Sequence, residues 1–323
     1  MKSKLTGTKR NHELTRMDTN KQKTAQPVKD PKGKFQEWEN MLVGKDIHSI
    51  RNQIYDMFWD CTFFRCINES RRYAGKDDDG NIKRNGPLHS FINQSFFKTQ
   101  LLSIRRLTDN RSDVYSLYRL IEDIKKNMSI LTRKNILDSR NLPYDYEKAM
   151  AAFKKEIGYT KGPFMVPPEI ASSEDIHRRI DSMVGIVADK RSPDDLFPNN
   201  ILEQFNDKLA SIDELCKYVN KFIAHAATPE SRKVIFDEIE GALGKVLNAH
   251  KIICETASFI GNKILFCGFG YVLPIPRYGP FDQFDVFEYL DEPMASKETV
   301  EKIRQVWETY RTETEQWCNQ WYN

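Results

Sequence analysis

Apolar residues recur every three to five positions along much of the chain, which is the spacing of an amphipathic α-helix. The first such stretch, Phe35 to about Tyr73, predicts one long helix or two helices joined near Gly44. Two more helices are predicted over Leu88–Leu107 and Val114–Asn127. We find no internal repeat, no sustained heptad and no strand-rich stretch, so the pattern predicts an all-α fold.

Capping residues and prolines mark the predicted ends of the other helices. Ser112 is a predicted N-cap for the helix that begins near Val114, and Pro143 is placed to open another helix. Glycines and prolines predict a loop over Gly158–Ala171. The remaining predicted helices are Pro143 to about Ile157, Ser172 to about Lys190, Ile201–Ala226, Pro229 to about Asn262, and Ser296 to about Trp321.

Two segments depart from the helical pattern. Residues 1–34 hold ten Lys and Arg but only three acidic residues, a polar composition that predicts a disordered basic tail. Residues 266–293 combine glycines and prolines with many aromatic residues, which predicts an irregular loop that covers the protein's own core. We therefore expect one helical domain over 35–323, with a core over about 35–260 and the loop and final helix over 263–323.

Charge and cysteine content narrow the class of protein. The chain has 49 basic and 46 acidic residues, a balance that is typical of solvated helix faces. Its six cysteines show no dense spacing, and no membrane span or export signal is predicted, so a cytoplasmic protein is expected. The histidines lack metal-ligand spacing, and no dinucleotide or phosphate-loop motif occurs, so neither a metal nor a cofactor is expected.

The segment Leu215–Ala226 carries the most informative chemistry. Its apolar residues share one helix face centred near Val219, and His225 lies at the edge of that face. A histidine at a helix C-terminus has a structural explanation, because it can bond the last carbonyls and favours the negative end of the helix dipole. An imidazole ordinarily has a pKa near neutrality, so a histidine at the edge of an apolar helix face is also suited to transfer protons. Both interpretations stay open from these residues alone.

Two short motifs resemble the HEPN group of helical domains. Asn220–His225 resembles the Asn/Asp-Lys-x-x-Ala-His core of that group, and Leu102–Asp109 resembles the Arg-Leu-x-Asp helix end of its abortive-infection type U branch. The resemblance covers about residues 35–260. It implies a helical bundle, often a homodimer, and in catalytic members a metal-independent RNase that uses an Arg, a gap of four to six residues, and a His.

The chain departs from that Arg-gap-His motif at the arginine. The permitted positions before His225 hold Tyr218, Val219 and Asn220, and none of these is cationic. The resemblance therefore implies a site in which His225 transfers protons, with Asn220, Lys221 and Arg106 around it. Arg106, its neighbour Arg105 or Lys221 could supply the missing cation. Asp109 follows Arg106 by three residues, which predicts an ion pair between them.

These observations lead to a HEPN-like phage-defence or toxin-type protein that acts on RNA, with an antitoxin or another protein as a further expected partner. The alternative is a non-catalytic helical module that binds protein or nucleic acid, which the missing motif arginine favours. A third interpretation, a nucleotide-binding or regulatory helical domain, requires a basic pocket that the sequence does not locate.

Overall fold

The computed structural model describes residues 30–71, 76, 78–80, 86–213, 215, 242–268 and 297–319. These ranges are mainly helical and contain no β-strand, although an isolated bridge joins Thr132 to Leu196. The predicted all-α fold is confirmed. The helices described are α1 (Pro31–Val43), α2 (Ile50–Ser70), α3 (Gly86–Leu107), α4 (Leu117–Lys126), α5 (Arg133–Ser139), α6 (Tyr146–Glu156), α7 (Pro168–Val184), α8 (Glu203–Ala210), α9 (Ala242–Phe259) and α10 (Lys297–Asn319).

The first predicted helical stretch is two helices, α1 and α2, with the break at Gly44. A Cβ on Gly44 would lie 2.3 Å from the carbonyl oxygen of Asn40, so only glycine fits this close turn. α1 begins before the predicted end of the basic tail, because Asp30 accepts a hydrogen bond from the Gly33 amide and Pro31 suits the first turn. The tail prediction for residues 30–34 is therefore wrong, and the rest of that tail lies outside the described residues.

Three predicted helix starts are corrected by the caps that the structure uses. α4 starts at Leu117, where Ser116 rather than Ser112 accepts a hydrogen bond from the Arg119 amide. α6 is capped by Asp145 rather than opened by Pro143. α7 starts earlier than predicted, at Pro168, because a proline is tolerated in a first turn.

The interior and end of α7 also differ from the prediction. Ser173, which was expected near the N-cap, is buried inside the helix and donates its hydroxyl hydrogen bond to the Pro143 carbonyl at 2.6 Å. α7 ends at Val184 because Gly185 takes a left-handed conformation with φ 74°. The sequence analysis missed α5 altogether, since seven residues are too few to show a helical period.

The later helices agree with the prediction only in part, because the helix predicted over Ile201–Ala226 begins as a 3₁₀ turn and its described α-helix, α8, already ends at Ala210 with a turn at residues 211–212. α8 follows a short 3₁₀ turn over Asn199–Leu202, while the predicted continuation through His225 lies largely outside the described residues. α9 continues into a π-helical turn over Ile260–Ile264. α10 has nearly the predicted bounds. Most of the predicted aromatic loop also lies outside the described residues, and the single-domain division stays a prediction.

α2 lies at the centre of the packing and contacts α1, α3, α9 and α10. Its residue Phe58 is fully buried, with ring centroids 5.3 Å from His250 of α9 and 5.9 Å from Trp317 of α10. On the side facing α3, Phe64 stacks on Phe96 with 3.7 Å between ring centroids. Burial of such large rings supplies much of the hydrophobic stabilisation of a core. α2 therefore fixes the positions of the helices that surround it.

α9 and α10 also contact each other directly. In the core between them, the Sγ atoms of Cys254 and Cys318 lie 2.9 Å apart. From α10, the hydroxyl of Tyr310 donates a hydrogen bond to Cys61 of α2 at 3.4 Å. Burial and the contact with Cys61 raise the pKa of the Tyr310 hydroxyl well above its ordinary value. The hydroxyl therefore stays protonated and remains a hydrogen-bond donor.

A buried arginine joins α5 to α7 and to the loop before α8. The Arg133 side chain has no solvent exposure and lies 2.8 Å from a carboxylate oxygen of Asp181 and 2.8 Å from one of Asp195. The same guanidinium contacts His177, and Arg191 donates further hydrogen bonds to Asp181. Burial raises the pKa of Asp181, but hydrogen bonds from Arg191 and Arg133 outweigh it and hold that pKa below its ordinary value. The pairing of each charge makes this burial tolerable.

Replacing Arg133 with methionine should lower the free energy of unfolding by about 3–5 kcal/mol, because Asp181 and Asp195 would lose their shared cation inside the protein. Arg178→Met is the matched control on α7, since the Arg178 side chain is 65% exposed and its ion pair with Asp175 should contribute less than about 1 kcal/mol. Urea unfolding of the two variants and the wild type measures both values. Equal losses in the two variants would contradict a structural role for the buried arginine.

Candidate functional site

The predicted site residues fall into two groups. Asn220, Lys221 and His225 lie outside the residues that the structure describes, so their arrangement stays a prediction. Arg106 is described and lies in the last turn of α3. The geometry that bears on the site is therefore that of the C-terminal end of α3 and the turn that follows it.

Asp109 pairs with Arg105 and not with Arg106. The Arg105 guanidinium lies 2.8 Å from a carboxylate oxygen of Asp109, four residues further on. The predicted Arg106–Asp109 pair is wrong because the chain leaves the helix after Leu107 and turns the Asp109 side chain inward, where it is only 7% exposed. The side chain of Arg106, by contrast, is exposed to solvent.

Asp109 organises the turn from α3 to α4. Its carboxylate accepts a hydrogen bond from the Arg111 amide at 3.0 Å, and its carbonyl accepts one from the Ser116 hydroxyl. Ser116 in turn caps α4 by accepting from the Arg119 amide at 3.1 Å. Asp109 therefore has a structural role, and it holds the end of α3 at a fixed place on the protein surface.

Arg106 is the cation that this arrangement leaves open to solvent. Within the part of the chain that the structure describes, it forms no ion pair, in contrast to Arg105 beside it. A guanidinium presents a planar set of donors that fits phosphate oxygens in a bidentate way. The position of Arg106 in the last turn of α3 stabilises its positive charge, since the C-terminus of a helix carries partial negative charge. Arg106 can thus bind a phosphate without first breaking an ion pair.

His250 is a second histidine with unusual surroundings, and the sequence analysis did not select it. It is fully buried, and neither ring nitrogen has a hydrogen-bond partner in the described structure. Burial, together with the nearby positive charge of Arg65, lowers the pKa of His250 to about 3. Its ring packs on Phe58. This histidine is therefore neutral at physiological pH and serves as an aromatic core residue rather than as a proton-transfer group.

A surface groove of about 280 Å³ lies between α2 and α10. Arg65, Glu69 and Lys302 line it, so it presents both signs of charge. The Arg65 guanidinium stacks over the Tyr310 ring at 3.8 Å and lies 3.9 Å from Glu313. These contacts hold Arg65 in place as a cover for the aromatic core. The mixed lining gives the groove no preference for an anion or for a cation.

The described residues contain no group of three or more His, Cys, Asp or Glu side chains placed to hold a metal ion. Among the helices that the structure describes, none is both long enough and apolar enough to cross a lipid bilayer. At the end of α3, the described surface offers the exposed guanidinium of Arg106. Such groups bind anions and do not by themselves transfer protons at neutral pH.

By its fold the chain is an all-α protein, and Arg106 at the end of α3 is exposed and forms no ion pair with the residues that the structure describes. Comparison with family models, with curated proteins and with solved structures finds no match to the chain.

Arg105→Ala and Arg106→Ala should separate a structural arginine from an available one. Loss of Arg105 leaves the buried Asp109 without its closest cation and should lower the free energy of unfolding by about 1–2 kcal/mol. Loss of Arg106 should change it by less than about 0.5 kcal/mol, as expected for an exposed side chain without a partner. Chemical unfolding of both variants provides the comparison. A larger loss for Arg106→Ala would contradict the assigned pairing.

His250 should make the protein less stable in mild acid. Its pKa is about 3 in the folded protein, and an unfolded histidine has a pKa of about 6.5, so the unfolded state binds more protons between these values. Stability is therefore lost as the pH falls through that window. From about pH 7 to about pH 5 the loss due to His250 should be about 2 kcal/mol.

The variants His250→Leu and His48→Leu test this pH dependence. The first should remove about 2 kcal/mol of the acid-induced loss of stability. The second is the control because His48 is exposed, and it should keep the wild-type dependence. Unfolding curves at both pH values measure the loss. If His250→Leu were as acid-sensitive as the wild type, the assignment would be refuted.

Proposed function

We propose that this chain is a HEPN-like protein of the abortive-infection type that cleaves RNA without a metal ion. His225 transfers the protons, Asn220 and Lys221 lie beside it, and Arg106 supplies the cation that the usual motif position lacks. The observation that carries the proposal is the exposed Arg106, which forms no ion pair in the described structure although Arg105 next to it is paired. The all-α fold agrees with such a protein.

The proposed reaction needs only side-chain chemistry. His225 removes the proton of an RNA 2′-hydroxyl, and the resulting oxygen attacks the adjacent phosphorus. The bond from phosphorus to the 5′-oxygen breaks, and that oxygen takes up the proton that His225 removed, which returns the imidazole to its neutral form. The products are a 2′,3′-cyclic phosphate and a 5′-hydroxyl. Arg106 stabilises the negative charge that develops on the phosphate oxygens.

A second candidate function is a non-catalytic helical module that binds RNA or protein. Its support is a specific feature of the sequence: Tyr218, Val219 and Asn220 occupy the places where catalytic relatives of this kind carry an arginine. In that case the Ala-His turn near His225 serves packing. RNA is the partner that we propose for the RNase and for a module that binds RNA, and the resemblance further implies a homodimer and an antitoxin or other protein partner.

Cleavage of total cellular RNA in the presence of a metal chelator tests the proposal. His225→Ala should reduce the rate by about 10²–10⁴-fold, the usual contribution of a positioned proton-transfer group. Arg106→Ala should reduce it by about 10²-fold, the contribution of one charge-stabilising group. Lys148→Ala is the matched control, since Lys148 is an exposed cation on α6, and it should cleave at the wild-type rate.

The termini of the products give a second readout, because the proposed reaction leaves only 2′,3′-cyclic phosphates and 5′-hydroxyls. Wild-type rates in both His225→Ala and Arg106→Ala would overturn the proposed mechanism. Absence of cleavage by the wild type, together with retained RNA binding, would establish the binding module instead.

A further inference from the structure

The composition of α3 differs from that of the rest of the chain. Gly86–Leu107 contains no Asp or Glu, although the whole chain has 46 acidic residues. Its charged side chains are Lys98, Arg105 and Arg106. This absence of acids was the sequence signal that the motif analysis overlooked. The C-terminal half of the helix therefore carries positive charge that only the Arg105–Asp109 pair partly offsets.

α3 has an inner and an outer face. The inner face packs on α2 and α9 through buried side chains that include Phe96, Leu101, Ile104 and Leu107. The outer face carries Phe91, Lys98, Leu102 and Arg106, at steps of seven, four and four residues. These steps place all of them on one side of a helix. We call this set the outer stripe of α3.

The outer stripe combines exposed aromatic, aliphatic and cationic side chains. Phe91 is 68% exposed and Leu102 is 40% exposed, which is high for large apolar residues. Lys98 and Arg106 are exposed as well, and neither forms an ion pair in the described parts of the chain. At 1.5 Å per residue the stripe extends about 22 Å from Phe91 to Arg106. It is long enough for several units of an extended polymer.

We propose that the outer stripe of α3 binds single-stranded RNA, in line with, and resting on, the proposed function. Lys98 and Arg106 attract the phosphates, and Phe91 offers a face on which a base stacks. This pairing of cations with an aromatic platform is the general way in which proteins hold single strands without reading their sequence. The strand then passes Arg106 at the end of the helix, the residue proposed to stabilise charge on the phosphate.

Charge complementarity of Lys98 and Arg106 favours a polyanion as the occupant, and the small apolar area of the outer stripe favours RNA over a lipid surface. A helix that lies in a membrane interface needs a broad apolar face. On the outer stripe the two apolar residues, Phe91 and Leu102, are eleven positions apart, and exposed polar residues such as Gln94 and Thr99 lie between them. The apolar area is therefore too small for a bilayer, whereas one aromatic ring and two cations suffice for a strand of RNA.

Fluorescence anisotropy with a labelled 2′-O-methyl oligouridine tests the proposal, because the blocked 2′-oxygen prevents cleavage during the measurement. Phe91→Ala should weaken binding about fivefold or more, the typical loss of one base-stacking contact. Lys98→Glu should weaken binding and reduce the slope of log K against log salt by about 0.7, which is the loss of one phosphate contact on a single strand. Arg106 is left unchanged so that catalysis and binding remain separable.

Two variants on other surfaces of the protein serve as controls for Phe91→Ala and Lys98→Glu. Met165→Ala removes a large apolar side chain that is 88% exposed, and Lys148→Glu reverses an exposed charge on α6. Both should bind the oligonucleotide as the wild type does. Circular dichroism and thermal unfolding of all four variants check that each is folded, which the exposure of the altered residues leads us to expect.

The outcomes separate this proposal from the proposed function. Weakened binding in the two α3 variants alone supports the outer stripe, whether or not the wild type cleaves RNA. Wild-type RNA cleavage with unchanged binding in the α3 variants overturns the stripe and leaves the proposed function standing. No RNA binding by the wild type overturns both. Binding to anionic phospholipid vesicles that is lost with Phe91→Ala, without RNA binding, also overturns the proposal in favour of a membrane surface.

Discussion

The packing of four helices against α2 is the constraint on which the rest of the structure depends. Its neighbours α1 and α3 precede and follow it in the described chain, whereas α9 and α10 come from a distant part of the sequence, and each must present an apolar face to it. Phe58 shows how this packing is achieved, because its ring contacts His250 of α9 and both Tyr310 and Trp317 of α10. The outer features of the protein, including the outer stripe of α3, are positioned by how these helices pack on α2.

Much of the fold could be predicted from the sequence, since a helical period is a property of the chain itself. The bounds of α3 and α10 follow closely from the spacing of their apolar residues. Helix starts were less predictable because several polar residues near each start compete to be the cap. Ser116 is the cap of α4 rather than Ser112 because Asp109 fixes the hydroxyl of Ser116 through a contact that only the folded turn creates.

The candidate site shows the same division. The sequence offered Arg106, Arg105 or Lys221 as the cation of the candidate site. The roles of the two neighbouring arginines could not be distinguished without knowing which way the chain turns after α3. Asp109 is buried and pairs with Arg105, so Arg105 has a structural role, whereas Arg106 faces solvent. The Arg133 cluster was beyond sequence analysis for a related reason. Its carboxylates lie 48 and 62 residues away along the chain, and no local pattern links them to it.

The position of α10 against α2 has a consequence for how the protein is made. Cys61 and Tyr310, which share a hydrogen bond in the core, are separated by 249 residues. At a synthesis rate of roughly 5–20 residues per second, a ribosome needs on the order of 10–50 s to produce that interval. During this time the side of α2 that α10 covers lacks its packing partner and remains an exposed apolar surface on the nascent chain. Apolar surface exposed in this way is prone to aggregation until α10 has emerged.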